Sequence, residues 1–186
     1  QDQWASALGG IQYLQFDGDT VKSTQLNPSS EFMAWIENNL LLFDSGISHV
    51  SGDLHQEVWK KYSKGDQEVI GGLERIRHMT QEMLEAIRIE STESFGRSLY
   101  RASSSVNLLG KEFNAPFEKH LEPLQFDEAI MAWKVMGAGA GGVVGIVLNA
   151  GYDRKAVTEL AKEQGWAEIE WAIEHQGIVR EVNLHE

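Results

Sequence analysis

The sequence predicts an α+β domain in which helices cover one side of a mainly antiparallel sheet of about four strands. Three observations lead there. Apolar residues recur at steps close to 3.6 over one long stretch, short β-branched runs bounded by turn residues mark strands, and the two kinds of segment do not alternate as βαβ units would. At 186 residues, 42% of them hydrophobic and six of them Trp, the chain suffices for one domain with its own core, or one domain plus part of another.

The elements follow in order. Residues 1–8 suit the end of a helix, stopped by Gly9 and Gly10. Ile11–Phe16 and Thr20–Leu26 lean to strand, joined by Asp17-Gly18, a dipeptide that tolerates the positive φ of a tight hairpin. Asn27-Pro28-Ser29-Ser30 reads as a linker, and Leu40–Phe43 as a buried strand. From Asp66 to Glu90, Val69, Ile70, Leu73, Ile76, Met83, Leu84 and Ile87 form the apolar stripe of a long helix. Ser91 or Thr92 caps a second helix with Phe95, Leu99, Ala102, Val106 and Leu109 on one face. A short third helix is expected over Asp127–Ala132. Asp153 caps another with Val157, Leu160 and Ala161 inward, and Gly165 ends it. Ile169, Trp171 and Ile173 alternate with glutamates as a half-buried strand, and a turn at His175–Gly177 leads to a last strand, Ile178–Val182.

Charge and composition exclude several functions. The 16 Lys and Arg against 28 Asp and Glu leave −12 at pH 7, which repels phosphate backbones and anionic lipid heads, so nucleic acid and membrane surfaces are poor partners. With no Cys there is no disulfide, no thiolate nucleophile and no Cys-type zinc site, in keeping with a reducing compartment. No apolar run reaches the ~18 residues of a bilayer span; the expectation is a soluble, cytoplasmic protein. Because Gln1 lies directly in what reads as a structured segment, the chain is expected to be a piece of a longer protein. The histidines give no metal pattern: His49 and His55 lack a spacing that imposes one face, and His78 with Glu74 and Glu82 suits ordinary i,i+4 pairing. Ser103-Ser104-Ser105 lies in a helical pattern without an adjoining glycine, and Trp59, Trp133, Trp166 and Trp171 read as core or domain-interface residues.

The most informative stretch is Lys134 to Val144, where Gly137, Gly139 and Gly142 satisfy G-x-G-x-x-G. A dinucleotide turn would need a helix after the glycines, whereas Val143, Val144, Ile146 and Val147 prefer strand. The segment is therefore a glycine loop entering a strand. Either its bare amides converge on an anion, or the small residues make a tight connection packed against a neighbour. The number of glycines, more than a turn needs, favours the first.

Lys134-x-x-Gly-Ala-Gly-x-Gly-Gly before a β-branched strand resembles the third motif of the GHMP small-molecule kinases. Separately, Gln1-Asp2-Gln3-Trp4-Ala5-Ser6-Ala7-Leu8-Gly9-Gly10 resembles a segment of the sugar branch of that family, especially its heptose 7-phosphate kinases. Leu42-Phe43-Asp44-Ser45-Gly46-Ile47-Ser48 is similar to that branch's strand and following loop, and residues 165–182 to its closing hairpin. The resemblance implies a ferredoxin-like C-terminal domain over 38–186, preceded by a remnant of the N-terminal domain over 1–37. It implies an ATP- and Mg2+-dependent sugar or sugar-phosphate kinase, with Asp2 beside the acceptor hydroxyl and Gly137, Gly139, Gly141 and Gly142 beside the nucleotide phosphates. Lys134 matches the basic position before that loop; a solvated lysine is an equal reading.

Two departures qualify what the resemblance implies. The family's N-terminal nucleotide loop has no match in the chain, so the fragment alone is expected to be inactive, and Ser48-His49 stands where the heptose kinases carry Ser-Arg. Read without the resemblance, Asp2 is a solvated terminal carboxylate. The rival reading is a non-catalytic α+β ligand-binding module that kept the fold and self-associates through the surface left by the missing half.

Overall fold

A computed structural model describes residues 2–47, 51–126, 129–137 and 139–179. The chain opens with α1 (Asp2–Leu8) and a hairpin, β1 (Ile11–Asp17) and β2 (Thr20–Leu26), whose register pairs Asp17 with Thr20 across Gly18 and Asp19. Then come α2 (Ser30–Asn39), β3 (Leu40–Asp44), α3 (Ser51–Ser63), α4 (Gln67–Arg88), α5 (Thr92–Val106), α6 (Ala115–Phe126), β4 (Ile130–Val135), β5 (Val143–Leu148), α7 (Arg154–Glu163) and β6 (Ala167–Ile169). β3 to β6 form a four-stranded sheet in the order β4-β5-β3-β6, every neighbour antiparallel.

Local chemistry sets the helix starts where the sequence placed them. Asp66 accepts from the amides of Glu68 and Val69, Ser91 from that of Ser94 and Asp153 from that of Lys155, so three helices begin on side-chain caps. Ser29 does the same for α2, and the expected linker is in fact a helix entry.

Alternation along the strands gives the sheet two faces. On one, Leu41, Phe43, Trp133, Val135, Val144 and Ile146 pack under Phe117 and Leu121 of α6, Val157 and Ala161 of α7, and Trp166. Leu41, Phe43, Phe117 and Leu121 are fully enclosed, each burial contributing about 2–3 kcal/mol. The opposite face is partly covered near Leu40 by Phe32 and Ile36 of α2 and by Ala86, Ile87 and Phe95 of the α4–α5 pair. This second partial layer was not specified by the sequence pattern.

Other differences have physical causes. The helix expected over Asp127–Ala132 is replaced by α6 ending at Phe126 and a strand from Ile130; residues 127 and 128 lie outside the described set. Ala132 opposes Val147 in the β4–β5 ladder and is buried, so tertiary packing overrides alanine's helix propensity. Helix α3 was not expected: its inward stripe is short, Leu54 and Val58, and its large aromatic residues Trp59 and Tyr62 face solvent. The strand expected through Trp171 and Ile173 stops at Ile169. Beyond it the Trp171 Nε1 donates to the Leu40 carbonyl at 3.0 Å and the Ile173 amide to the Glu37 carboxylate at 2.9 Å, side-chain partners in place of a ladder. Ile178 and Val179 are not in a strand, and residues 180–182 lie outside the described set.

Candidate functional site

The glycine segment is the loop of the β4–β5 hairpin, residues 136–142. Its entry is closed by the Met136 amide donating to Val143 O at 2.8 Å. Gly137, Gly139, Ala140 and Gly142 all have positive φ, so the chain turns through four left-handed positions in six residues. A strand follows at once, which removes the dinucleotide-turn reading.

Within the loop the glycines do different things. Gly137 is exposed, and a Cβ placed there would meet nothing within 4 Å. Gly139 to Gly141 are buried: a Cβ on Gly139 would stand 2.9 Å from the Phe113 ring, and the Ala140 amide donates to Phe113 O at 3.0 Å. The Gly142 amide donates to Ile47 O at 3.0 Å. Three of the loop's amides, those of Met136, Ala140 and Gly142, are thus committed to the protein itself, whereas those of Gly139 and Gly141 have no acceptor among the described residues.

The segment after β3 meets this loop. Ser45 donates to Gly142 O twice, from its amide at 3.1 Å and its hydroxyl at 2.6 Å, and its Oγ accepts from the Ile47 amide at 3.3 Å. Gly46 N donates to the Asp44 carboxylate at 3.0 Å. Asp44 pairs with Val143 in register. Two segments about a hundred residues apart in sequence, each singled out separately, are therefore pinned side by side at one end of the sheet. Ser45 and Phe113 carry this junction; Ser45 lay within a segment the sequence singled out, and Phe113 had no sequence signal.

Lys134 lies in the strand that leads into the loop, opposite Gly145. Its Nζ donates to Val135 O at 2.8 Å. Burial pushes its pKa below the usual lysine range, because desolvation disfavours the ammonium. Such a cation gains from an incoming anion.

Asp2 opens α1, and its side chain lies outside the described set. The other end of α1 is held by the C-terminal segment: Ile178 N donates to Ala7 O at 3.1 Å and Gly10 N to Glu174 O at 2.5 Å. That segment has already passed Leu40, so the C-terminal end of α1 sits toward the end of the sheet away from the glycine loop. α1 spans about 9 Å from there to Asp2, and no backbone hydrogen bond joins it to the glycine loop among the described residues. His49 and Asp53 have no described side chains. His78 pairs with Glu82 at 3.5 Å, as its helical spacing suggested. Trp133 and Trp166 are core, Trp171 is half-buried and Trp59 is 60% exposed.

The loop is open at Gly137, where there is room for backbone approach; the unspent Gly139 and Gly141 amides lie in its buried middle, and a desolvated lysine precedes them. Among the described residues no group of three or more His, Asp or Glu could hold a metal. Among the same residues no helix is long and apolar enough to cross a membrane.

No protein-family model matches the sequence, and no curated protein matches it significantly. Solved structures do match the fold. A D-glycero-D-manno-heptose 1-phosphate kinase from Bacteroides thetaiotaomicron superposes with a TM-score of 0.65 at 16% identity, over 94% of this chain and 46% of its own. Leishmania major mevalonate kinase, solved with R-mevalonate, gives 0.66 at 12% identity over 91% and 50%. Streptococcus pneumoniae phosphomevalonate kinase, solved with phosphomevalonate and AMPPNP, gives 0.58 at 16% over 79% and 41%. The chain spans about half the length of these proteins. Its fold, a four-stranded antiparallel sheet with helices packed on it, is shared with about half of each of these solved kinases.

Proposed function

We propose that the chain supplies the C-terminal part of an ATP-dependent kinase that transfers the γ-phosphoryl group to a hydroxyl of a sugar or sugar phosphate. The observation that carries this reading is the junction of the 45–47 segment with the glycine loop through Ser45 and Gly142. The fold likeness to a heptose phosphate kinase, and the ATP analogue in a phosphomevalonate kinase of the same fold, support it.

Bound Mg2+·ATP would supply the phosphoryl group and the metal's neutralisation of its charge. The chain's own residues bind and orient. Gly137, Gly139 and Gly141 offer backbone N–H groups to the phosphates, Gly142 sets the bend by its tie to Ile47, and Lys134 adds a positive charge from the strand. Asp2 orients the acceptor hydroxyl and takes its proton. In this reading residues 1–37 belong to the preceding unit, 38–186 form the C-terminal unit, and the enzyme works in the cytoplasm.

The test is an ATP-turnover assay with Mg2+ over a panel of sugars and sugar phosphates, on this chain and on the longest reading frame that contains it. The 186-residue chain is expected to turn over little or nothing. The longer frame is expected to turn over at least one sugar and to lose that activity with Asp2→Asn. A longer frame inactive on the whole panel, or one whose activity survives Asp2→Asn, refutes the proposal.

A second reading, a self-associating module, draws on the exposed edge-to-face pair Trp59 and Tyr62 of α3. Sedimentation showing a monomer at high concentration removes it.

A further inference from the structure

A cleft of about 430 Å3 opens between the C-terminal half of α5 and the first turns of α6. This lies within the ~300–1,000 Å3 typical of small-molecule sites. Its floor is Ser103, Asn114 and Trp133, only 4%, 3% and 7% exposed. The carboxylates of Glu118 and Glu122 stand at its rim.

A hydrogen-bond network fixes what this floor presents. Asn114 Nδ2 donates to the Ser103 carbonyl at 2.9 Å and to Asn107 Oδ1 at 2.9 Å. A carbonyl only accepts, so the amide's orientation is determined and both Nδ2 protons are spent. Asn107 Nδ2 in turn donates to Glu118 at 3.3 Å. What remains for a ligand is acceptor capacity: Asn114 Oδ1 and the carboxylates.

The serine run adds one unspent hydroxyl. Ser104 and Ser105 donate back to the carbonyls of Tyr100 and Arg101. The Ser103 hydroxyl has no protein partner among the described residues. It is also not among their fully enclosed orphan atoms, of which Thr158 Oγ1 is the only one, so it opens onto the cleft it lines. Opening there, it is free to donate to a molecule in the cleft.

We infer that this cleft binds a neutral polyhydroxylated molecule of monosaccharide size, its hydroxyls donating to Glu118, Glu122 and Asn114 Oδ1 and one of its oxygens accepting from Ser103. The two carboxylates outweigh Lys119 at the rim and disfavour an anion. No carboxylate lies on the buried floor to hold a cation. No residue of the glycine loop lines the cleft, and the inference does not depend on the phosphoryl-transfer reading.

The test is a titration of the 15N-labelled chain with D-mannose, D-galactose and D-ribose, with putrescine and sodium phosphate as charged controls. Saturable shifts are expected at the Ser103, Asn107 and Asn114 amides and the Asn114 side-chain NH2 with at least one sugar, and none with either control. Ser103→Ala keeps a strong helix former in α5 and is expected to leave Tm unchanged while weakening the sugar roughly 5- to 10-fold. Glu118→Gln, which keeps the shape, is expected to weaken it as well. No saturation with any sugar up to ~50 mM overturns the inference. So does unweakened binding by Ser103→Ala, or saturation of these resonances by putrescine or phosphate.

Discussion

Replacing Gly139 and Gly137 by alanine, one at a time, separates the two reasons a loop carries glycine. Both positions have positive φ, +82° and +62°, so each alanine incurs the left-handed backbone cost of ~1 kcal/mol. Only at Gly139 does the new methyl meet a neighbour, 2.9 Å from the Phe113 ring. Phe113 is 2% exposed and packed with Val58, Val69 and Ala140, so it has little room to give. Overpacking of this kind costs about 1–3 kcal/mol. Gly139→Ala should then lose ~2–4 kcal/mol and Gly137→Ala ~1 kcal/mol. With a urea slope of ~2 kcal/mol/M, the unfolding midpoints fall by ~1–2 M and ~0.5 M respectively. Urea unfolding followed by far-UV circular dichroism measures both. Equal shifts for the two variants would refute the claim that the loop's middle is wedged against Phe113 while Gly137 is open.

Ser45→Ala removes the hydroxyl that binds Gly142 O and should cost about 1–2 kcal/mol. Hydrogen exchange at the Gly142 amide should speed up in that variant, and an unchanged rate would mean the junction does not depend on it. Lys134→Met should be more stable than the parent at pH 7, because folding lowers the lysine's pKa and so disfavours its charged form. The parent's penalty is present at low pH and is relieved as pH rises through the lowered value toward the ordinary 10.5, so the gap between the two proteins should close. Denaturation at pH 7 and pH 10 checks the sign, and a gap that widens contradicts it. Hydrogen bonds from the Ser29 hydroxyl and amide hold the Glu90 carboxyl below its usual range. That contribution is present above pH 4.5 and lost as pH falls through the lowered value. Glu90→Gln should therefore flatten the acid limb of the stability curve, measured by thermal unfolding from pH 3 to pH 6.

The elements legible in the sequence are those whose signal is local. Helix α4 carries its own cap at Asp66 and a regular stripe, and β3 and β5 are β-branched or leucine runs ended by turn residues. Helix α3 gave no such signal, since of its described residues Val58 is buried while Trp59 and Tyr62 lie outside. Alternation through Trp171 and Ile173 resembled strand, but the β3–β6 register carried on would set Ile173 opposite residue 38, inside α2, and the Leu40 carbonyl is taken by the Trp171 indole. At the candidate site the glycine loop was visible as composition. That Phe113 wedges its middle and Ser45 ties it to the 45–47 segment depends on contacts between residues far apart in the chain, which no local pattern encodes.

The most direct test of the junction as a phosphate-facing site is an amide chemical-shift titration of the 15N-labelled chain with Mg2+·AMPPNP. Saturable shifts are predicted at Gly137, Gly139 and Gly141, with smaller ones at Ser45 and Ile47 through their ties to Gly142. A loop left unperturbed, whether other amides saturate or none do, would contradict the account.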